Sequence, residues 1–193
     1  MTGKQSFALW FFCRVPIAFP SPDSPSLSRL FLSLYSEIFK KENMDFRIVI
    51  DSREKEPYTF ACEVLKAKLD AGDYSVHGFE HQVAVERKSL ADFVGTVIHD
   101  YDRFARELEK LSAMNAACVV VEADLNAVLC NKHTDSLRAV SPHSLLGAAT
   151  YIGIKYKVPV FWCGSRPAAV RFTDTFLRSY IREISSGGGL GND

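Results

Sequence analysis

The sequence predicts an α/β domain with a mixed central β-sheet flanked by helices. Short apolar runs with strand periodicity lie close together between residues 46 and 87. Beyond them, apolar runs alternate with amphipathic helical patterns. The chain has 193 residues, which is enough for one domain with a sizeable core and some excess at the ends. Hydrophobic residues make up 47%, charged residues 24% and the formal net charge is zero, which argues weakly against a nucleic-acid-binding protein.

Four early segments are predicted to be strands. The first is a β-branched run that ends at Asp51, and the second alternates as a half-buried strand before a turn at Gly72 and Asp73. Two further extended segments follow the turn. We expect these early strands to be antiparallel, and they comprise residues 46–50, 63–69, 74–78 and 82–87.

Helices and strands alternate in the remainder of the chain. Ser89 is placed to cap a first helix, and a second helix follows it. A continuous apolar run predicts a buried strand over residues 116–123. Ser141 then opens a helix that runs to about Lys157, with Pro142 at its first position. In the second helix, Phe104, Leu108 and Leu111 share an apolar face. The last elements are a strand over residues 158–163 and an amphipathic helix over residues 166–184.

The working domain is predicted to span residues 44–184, because Met44 directly precedes the first strand. Residues 1–43 are predicted to be a poorly ordered extension or the result of an upstream translation start. Their apolar run is interrupted by Arg14 and is too short to cross a bilayer, so we expect no membrane association. Residues 185–193 are predicted to be a disordered Gly-rich tail.

The five cysteines are scattered and odd in number, without the Cys or His spacing of a zinc site. They are typical of reduced thiols in a cytoplasmic protein. His77 and His81 flank Gly78, so we interpret them as loop residues and not as metal ligands.

Acidic residues are predicted to lie at the strand ends. Asp51 ends the first strand, and Asp73 lies in the turn before a neighbouring strand. Glu86 and Lys88 are two apart in an extended segment, so they share a face that Arg87 does not. In an antiparallel meander, the three acids would converge at one edge of the sheet, with the lysine beside them. Such a site suits phosphodiester hydrolysis, because carboxylates hold Mg²⁺ or Mn²⁺ and an ammonium group stabilises developing charge.

Each part of this pattern also has a simpler interpretation. The tripeptide Glu86–Lys88 at a strand end is usually a solvated, self-paired cluster, and Asp51–Glu54 alone is more often a polar turn. Only together with Asp73 and Asp92 do these segments favour a functional site.

The order of these motifs carries a family resemblance. "GDY" followed by "VERKSLAD" resembles the signature of the XPF-type structure-specific endonuclease domain. "IVIDSRE" resembles the first motif of that family, and "DYDRFARELEKL" is similar to the helix after the signature. The resemblance covers roughly Phe46 to Trp162. It implies a restriction-endonuclease-like nuclease fold, a divalent metal, and cleavage of branched or flapped DNA near a junction.

The resemblance also implies roles for residues of the signature. Asp51, Asp73 and Glu86 would hold or approach Mg²⁺ or Mn²⁺, and the Arg87 carbonyl could help. Lys88 would be the catalytic lysine.

Further residues are carried over from the flanking motifs. Arg53 and Glu54 would line the catalytic site, with Arg53 near the phosphate. Asp92 would support the site by ordering Arg87 or a metal-bound water. On the helix after the signature, Arg106 has an alternative partner in Asp102. The candidate DNA contacts are Arg53, Arg87, Arg103 and Arg106.

The resemblance implies a stand-alone nuclease domain, because no tandem helix-hairpin-helix modules and no helicase domain are recognisable. We expect such a domain in bacteria or phages, in the cytoplasm at the nucleoid. DNA affinity would then come from the domain itself, from a homodimer, or from a helicase or DNA-binding partner. Within the domain, the candidate DNA-binding surface is the basic final third of the chain. Arg171, Arg178 and Arg182 are predicted to lie near one face of the last helix, with Phe172, Phe176 and Tyr180 largely on another. The arginine face either contacts DNA or is simply solvated, and the solvated face is the slightly stronger interpretation.

Three functions therefore compete. The first is a metal-dependent structure-specific DNA endonuclease of repair or recombination. The second is a non-catalytic DNA-binding scaffold subunit, which predicts loss of site residues, whereas every motif acid and Lys88 are present. The third is an unrelated regulatory α/β domain with an accidental acidic cluster, which predicts no thermal shift with Mn²⁺.

Overall fold

The protein is described by a computed structural model over residues 46–130 and 140–187. The chain separates into two units, Met1–Asp45 and Phe46–Asp193. The predicted extension at residues 1–43 lies outside the described residues, as do residues 188–193 of the predicted tail. The domain boundaries therefore stay predictions.

Strands and helices occur in nearly the predicted order. The strands are β1 (Ile48–Asp51), β2 (Val64–Ala67), β3 (Tyr74–Val76), β4 (Val83–Lys88), β5 (Ala116–Val121) and β6 (Val160–Trp162). The helices are α1 (Leu90–Ile98), α2 (Tyr101–Ser112), α3 (Leu125–Leu129), α4 (Pro142–Tyr156) and α5 (Arg166–Gly187). The last helix thus continues three residues beyond its predicted end, into the segment predicted to be disordered.

The six strands form one mixed sheet in the order β2-β1-β3-β4-β5-β6. β3 is antiparallel to β1 and β4, as expected, whereas β4, β5 and β6 are parallel. The predicted antiparallel meander is wrong for β2, which pairs parallel to β1, with Ile48 opposite Val64. β2 lies on the outer side of β1. The connection over residues 52–63 is long enough for the crossover that this parallel pair requires. At this edge the strand is mostly exposed, not half-buried, and only Leu65 within it is partly buried.

Helices cover both faces of the sheet, which confirms the predicted α/β class. One face packs against α1, α2 and α4 through a core that includes Phe93, Leu108 and Ile152. The other face packs against α5 through a second core that includes Tyr74 and Leu177. Alternate residues of β4 and β5 contribute to the two cores, since successive side chains of a strand point to opposite faces.

Local sequence signals explain the starts of three helices. The Ser89 hydroxyl accepts from the Asp92 amide at the start of α1, and the Ser141 hydroxyl accepts from the Ser144 amide before Pro142. The short helix α3 was not predicted, although the Asp124 carboxylate caps it by accepting from the Ala127 amide. Within the described ranges, no helix combines the length and the apolar character needed to cross a membrane.

Candidate active site

Three strands bring acidic residues to one edge of the sheet. β1 ends at Asp51, β4 ends with Glu86 and Lys88, and β3 begins after Asp73. Because β3 runs opposite to its neighbours, its amino end lies beside their carboxyl ends. The Asp51 amide donates to the Asp73 carbonyl at 2.8 Å, and the Asp73 amide donates to the Val85 carbonyl at 2.9 Å. The expected convergence is therefore present, although β2 takes no part in it.

The carboxyl groups of Asp73 and Glu86 form a pair of like charges, of which Glu86 is buried and Asp73 is half-buried. Glu86 is only 7% exposed, and one Asp73 oxygen accepts from the Arg87 amide at 2.7 Å. Burial, and then the charge of Glu86, raise the pKa of Asp73 to about 8. Burial raises the pKa of Glu86 as well, against the opposing effect of Lys88. The pair therefore lacks enough positive charge to be fully ionised near neutral pH.

Lys88 lies beside this pair, on the face that its spacing from Glu86 predicts. Its ammonium donates to Glu86 Oε1 at 2.7 Å and lies 5.1 Å from the centre of the Phe104 ring. Burial lowers the pKa of Lys88, but the charge and the hydrogen bond of Glu86 outweigh burial, so this pKa lies above its ordinary value. Lys88 is thus a cation held in place by Glu86, which is itself a candidate metal ligand.

The Asp51 carboxylate is hydrogen-bonded by Arg53 of its own turn and by Leu69. The carboxylate accepts from the Arg53 amide at 2.7 Å, from Arg53 Nε and Nη2 at 2.8 Å, and from the Leu69 amide at 2.8 Å. Burial opposes ionisation, but the Arg53 hydrogen bonds outweigh it and lower the pKa of Asp51. With four donors on two oxygens, the carboxylate has little capacity left for a metal. Its role as a metal ligand stays a prediction, and this geometry favours Asp73 and Glu86.

Arg53 lies at the mouth of the site, with 62% of its side chain exposed. Besides Asp51, its Nη2 donates to the Leu69 carbonyl at 2.8 Å. These bonds hold the guanidinium at the edge of the cleft while leaving much of it accessible to solvent. The arrangement is compatible with the predicted phosphate contact, which stays a prediction.

Arg87 faces away from Lys88, as predicted, into a network of carboxylates. Its Nε and Nη2 each donate to Glu122 at 3.0 Å, and Glu56 and Glu54 lie at 3.3 and 3.8 Å. Burial raises the pKa of Glu122, but the bond to Arg87 outweighs burial and leaves it below its ordinary value. Only 10% of the Arg87 side chain is exposed, so the network gives no support to a DNA contact by its guanidinium. The network explains Arg87 as a residue that holds the loop containing Glu54 against the sheet.

The remaining predicted residues lie at the rim. Asp92 accepts from the Ser89 hydroxyl at 2.6 Å within the cap of α1, and Arg87 bonds to other acids, so these contacts give no support to the expected ordering of Arg87 by Asp92. Arg103 is exposed on α2 and lines the cleft. Arg106 is exposed one turn further along and lines a neighbouring depression that shares Arg103. The roles of Asp92, Arg103 and Arg106 stay predictions.

Three residues of the site escaped prediction. Glu107 on α2 accepts from the Gly72 amide at 3.1 Å, next to Asp73. Glu122 and Arg166 bind each other at 3.1 Å, and Arg166 also donates to the Glu56 and Pro57 carbonyls. The signal available for Glu122 was its place directly after the buried strand β5, at the same edge of the sheet. Nothing in the sequence indicates the contacts of Glu107 and Arg166, because they depend on how α2 and α5 pack.

The basic residues of α5 are differently placed. Arg178 binds Asp174 at 2.9 Å and lies 4.1 Å from the centre of the Phe46 ring. Its guanidinium therefore packs against the protein, which fits neither the solvated face nor the DNA contact considered for it. Arg171 is exposed, whereas Arg182 is partly buried.

The acids open into a cleft of about 710 Å³, in which acidic lining residues outnumber basic ones by eight to five. Among the described residues, no three His, Cys, Asp or Glu side chains form a group that would hold a metal by themselves. Mg²⁺, however, commonly binds one or two carboxylates and keeps several waters. The pair of Asp73 and Glu86 fits this requirement, because a divalent cation would neutralise two like charges that are largely removed from solvent. Such a cation would also reduce the repulsion of phosphate by an acidic cleft.

The comparisons with known proteins point to one family. A model of the ERCC4 domain matches residues 50–176. The solved structure of XPF from Aeropyrum pernix is similar to this chain with a TM-score of 0.55 and 18% identity, over 72% of this chain and 67% of that chain. XPF from Aeropyrum pernix in complex with DNA is similar with a TM-score of 0.53 and 18% identity, over 76% of this chain and 68% of that chain. No curated protein matches the sequence. The fold is thus that of the XPF structure, which confirms the resemblance read from the motifs, and the family match over residues 50–176 shows that this chain belongs to the ERCC4 domain family.

Proposed function

We propose that this protein is a divalent-metal-dependent DNA endonuclease that hydrolyses phosphodiester bonds in branched or flapped DNA, in repair or recombination. The observation that carries the proposal is the pair of half-buried Asp73 and buried Glu86, with Lys88 bonded to Glu86, in an open cleft. A structural role does not explain a pair of carboxyl groups whose burial raises both pKa values. Membership of the ERCC4 domain family supports the same activity.

Asp73 and Glu86 are the residues that would hold Mg²⁺ or Mn²⁺. When bound, the metal supplies Lewis-acid activation of the scissile phosphate and of the attacking water. The Arg87 amide fixes one Asp73 oxygen at 2.7 Å, so this carboxylate keeps one orientation. Glu54, with its Oε1 held by the Glu56 amide at 2.7 Å, forms one wall of the cleft.

Lys88 supplies the positive charge that the reaction needs beside the carboxylates. Its Nζ is placed by Glu86 and by the Phe104 ring, so it is oriented before substrate arrives. Developing negative charge on the phosphate oxygens is stabilised by a preorganised ammonium group in a partly desolvated site. Because its pKa is raised, Lys88 stays protonated at neutral pH and acts as a donor, not as a general base.

Exposed arginines on the rim are the proposed contacts to the DNA backbone. Arg53 and Arg103 both line the cleft, and Arg106 continues the line along α2. The similarity to an XPF structure solved with DNA supports a DNA partner. Cooperation with a second copy, a helicase or a DNA-binding subunit, at the nucleoid, belongs to the same proposal.

The proposal is tested by incubating labelled flap, fork, duplex and single-stranded DNA with the protein in Mg²⁺ and in Mn²⁺. We expect metal-dependent cuts near the junction of branched substrates, and loss of these cuts in Asp73→Ala and Lys88→Ala. Glu109→Ala, an exposed acid on α2, is the matched control and should cleave normally. Binding of branched DNA without any cleavage by the wild type would overturn the nuclease in favour of the scaffold.

A further inference from the structure

Helix α2 is fastened to the turn that precedes Asp73. Glu107 Oε1 accepts from the Gly72 amide at 3.1 Å, across 35 residues of sequence. One turn of the helix away, Lys110 Nζ donates to the Asp70 carbonyl at 3.1 Å. The two side chains are themselves paired at 3.7 Å. Two side chains of α2, the donor Lys110 and the acceptor Glu107, therefore hydrogen-bond to the backbone of the short segment between Asp70 and Asp73.

This segment packs tightly against the sheet. Gly72 has φ +75°, and a Cβ atom there would lie 2.9 Å from Ala84 Cβ and 3.2 Å from the Val85 carbonyl oxygen. Its backbone is therefore pressed against β4, and its amide points out of the sheet towards α2. Asp73 follows directly, so any movement of Gly72 is passed to the residue that presents a carboxyl group to the cleft.

We propose that Glu107 is a positioning residue, which locks the Gly72–Asp73 turn in the geometry needed by the cleft. Helix α2 also carries Arg103 and Phe104, the latter against Lys88. The contact thus sets the separation between the Asp73 carboxyl group on the sheet and the cationic and aromatic groups on the helix. The catalytic consequence rests on the proposed function, whereas the contact itself does not.

A direct ligand role for Glu107 is the competing interpretation, because its side chain is 29% exposed and lines the cleft. Among the described residues it does not join Asp73 and Glu86 in a group of three metal-holding side chains. One of its oxygens is already used by the Gly72 amide and the other faces Lys110. Positioning requires only an oxygen that accepts from the Gly72 amide, whereas metal ligation requires the negative charge. The two roles therefore predict opposite results for Glu107→Gln.

The experiment compares Glu107→Gln, Glu107→Ala and the control Glu109→Ala in the whole protein. The first measurement is the exchange rate of the Gly72 amide without metal, which requires neither catalysis nor a ligand. We expect exchange at least about 10-fold faster in Glu107→Ala, on the order expected for loss of one hydrogen bond to a charged acceptor. We expect wild-type protection in Glu107→Gln, because the glutamine carbonyl can still accept. The second measurement is Mn²⁺ affinity by calorimetry, where loss of such a supporting contact typically costs about 10–100-fold. Glu107→Ala should show that loss, and rescue by glutamine should restore both binding and kcat.

Two results would overturn the proposal. One is unchanged Gly72 exchange in Glu107→Ala, and the other is loss of Mn²⁺ binding in Glu107→Gln despite a protected Gly72 amide, which would make Glu107 a ligand. If the wild type bound no Mn²⁺ and cut no DNA, the proposed function would fail. Faster Gly72 exchange in Glu107→Ala alone would in that case still support the positioning contact.

Discussion

Replacing Asp73 by asparagine is expected to abolish cleavage and at the same time to stabilise the metal-free protein. Asparagine keeps an oxygen that can accept from the Arg87 amide, so the 2.7 Å hydrogen bond of the wild type can be retained. What it removes is the ionisable group whose burial beside Glu86 raises its pKa to about 8. Stability and activity therefore change in opposite directions, as expected when the groups of an active site oppose folding.

The magnitude follows from the pKa of Asp73. An unperturbed aspartate has a pKa of 3.8, so at pH 7 the unfolded chain has lost a proton that the folded metal-free protein retains. At about 1.36 kcal/mol per pH unit, this difference sets an upper bound of about 4 kcal/mol on the destabilisation. Asp73 is only partly shielded from solvent, and a buried amide has its own cost, so we expect a gain of about 1–2 kcal/mol. For a domain of this size, that gain corresponds to a rise in Tm of roughly 3–6 °C.

The pH dependence identifies the cause. A carboxyl group with a raised folded-state pKa favours the folded state below the unfolded pKa, and this advantage is lost as pH rises towards the folded value. In chelator-containing buffer, the difference between Asp73→Asn and wild type should be near zero at pH 4 and largest near pH 8, by urea unfolding. Asp102→Asn, an exposed acid on α2, should stay within about 0.5 kcal/mol of the wild type at every pH. A destabilised Asp73→Asn, or a gain that does not vary with pH, would show that the charge of Asp73 does not oppose folding.

Three further predictions concern the turn, the carboxylate network and the rim. Gly72→Ala should lower stability by roughly 2–4 kcal/mol in urea unfolding, from its left-handed backbone and the contacts with Ala84 and Val85, whereas Gly78→Ala, at φ +83° in open space, should cost only about 1 kcal/mol; equal costs would contradict the crowding argument. Glu122→Gln should destabilise by about 2 kcal/mol at pH 7, because it weakens two bonds to Arg87 and one to Arg166, with the difference shrinking in acid as Glu122 of the wild type is protonated below its ordinary pKa of 4.5. A pH-independent difference would point to packing instead. Arg103→Ala should weaken DNA binding on all sequences and reduce the slope of log affinity against log salt by about 1, and an unchanged slope would remove Arg103 from the DNA surface.

Periodicity and capping predicted the elements well because these signals are local. The spacing of Glu86 and Lys88 fixed their common face, and Ser89 and Ser141 marked the helix starts that the structure shows. Strand pairing could not be predicted in the same way. The parallel placement of β2 depends on where the 52–63 connection crosses, and an exposed edge strand carries little apolar pattern to indicate it.

The site was predictable in its residue types more than in its bonds. The motif order indicated Asp73, Glu86 and Lys88, which the structure brings together. The same motifs gave no sign that Arg53 would occupy the Asp51 carboxylate, or that Arg87 would be held by Glu122. These bonds depend on rotamers chosen among several nearby charges, and one charge pattern is compatible with several pairings.

The most direct test of the nuclease is a single-turnover cleavage assay on a flapped duplex, with wild type and Lys88→Met in the same Mn²⁺ titration. We expect cutting by the wild type that rises with Mn²⁺ and disappears in chelator. We also expect at least about a 100-fold slower cut by Lys88→Met with DNA affinity nearly unchanged, on the order expected for loss of one charge-stabilising group. Equal rates for the two proteins, or cutting that survives chelation, would contradict the assignment of Asp73, Glu86 and Lys88 as the active site.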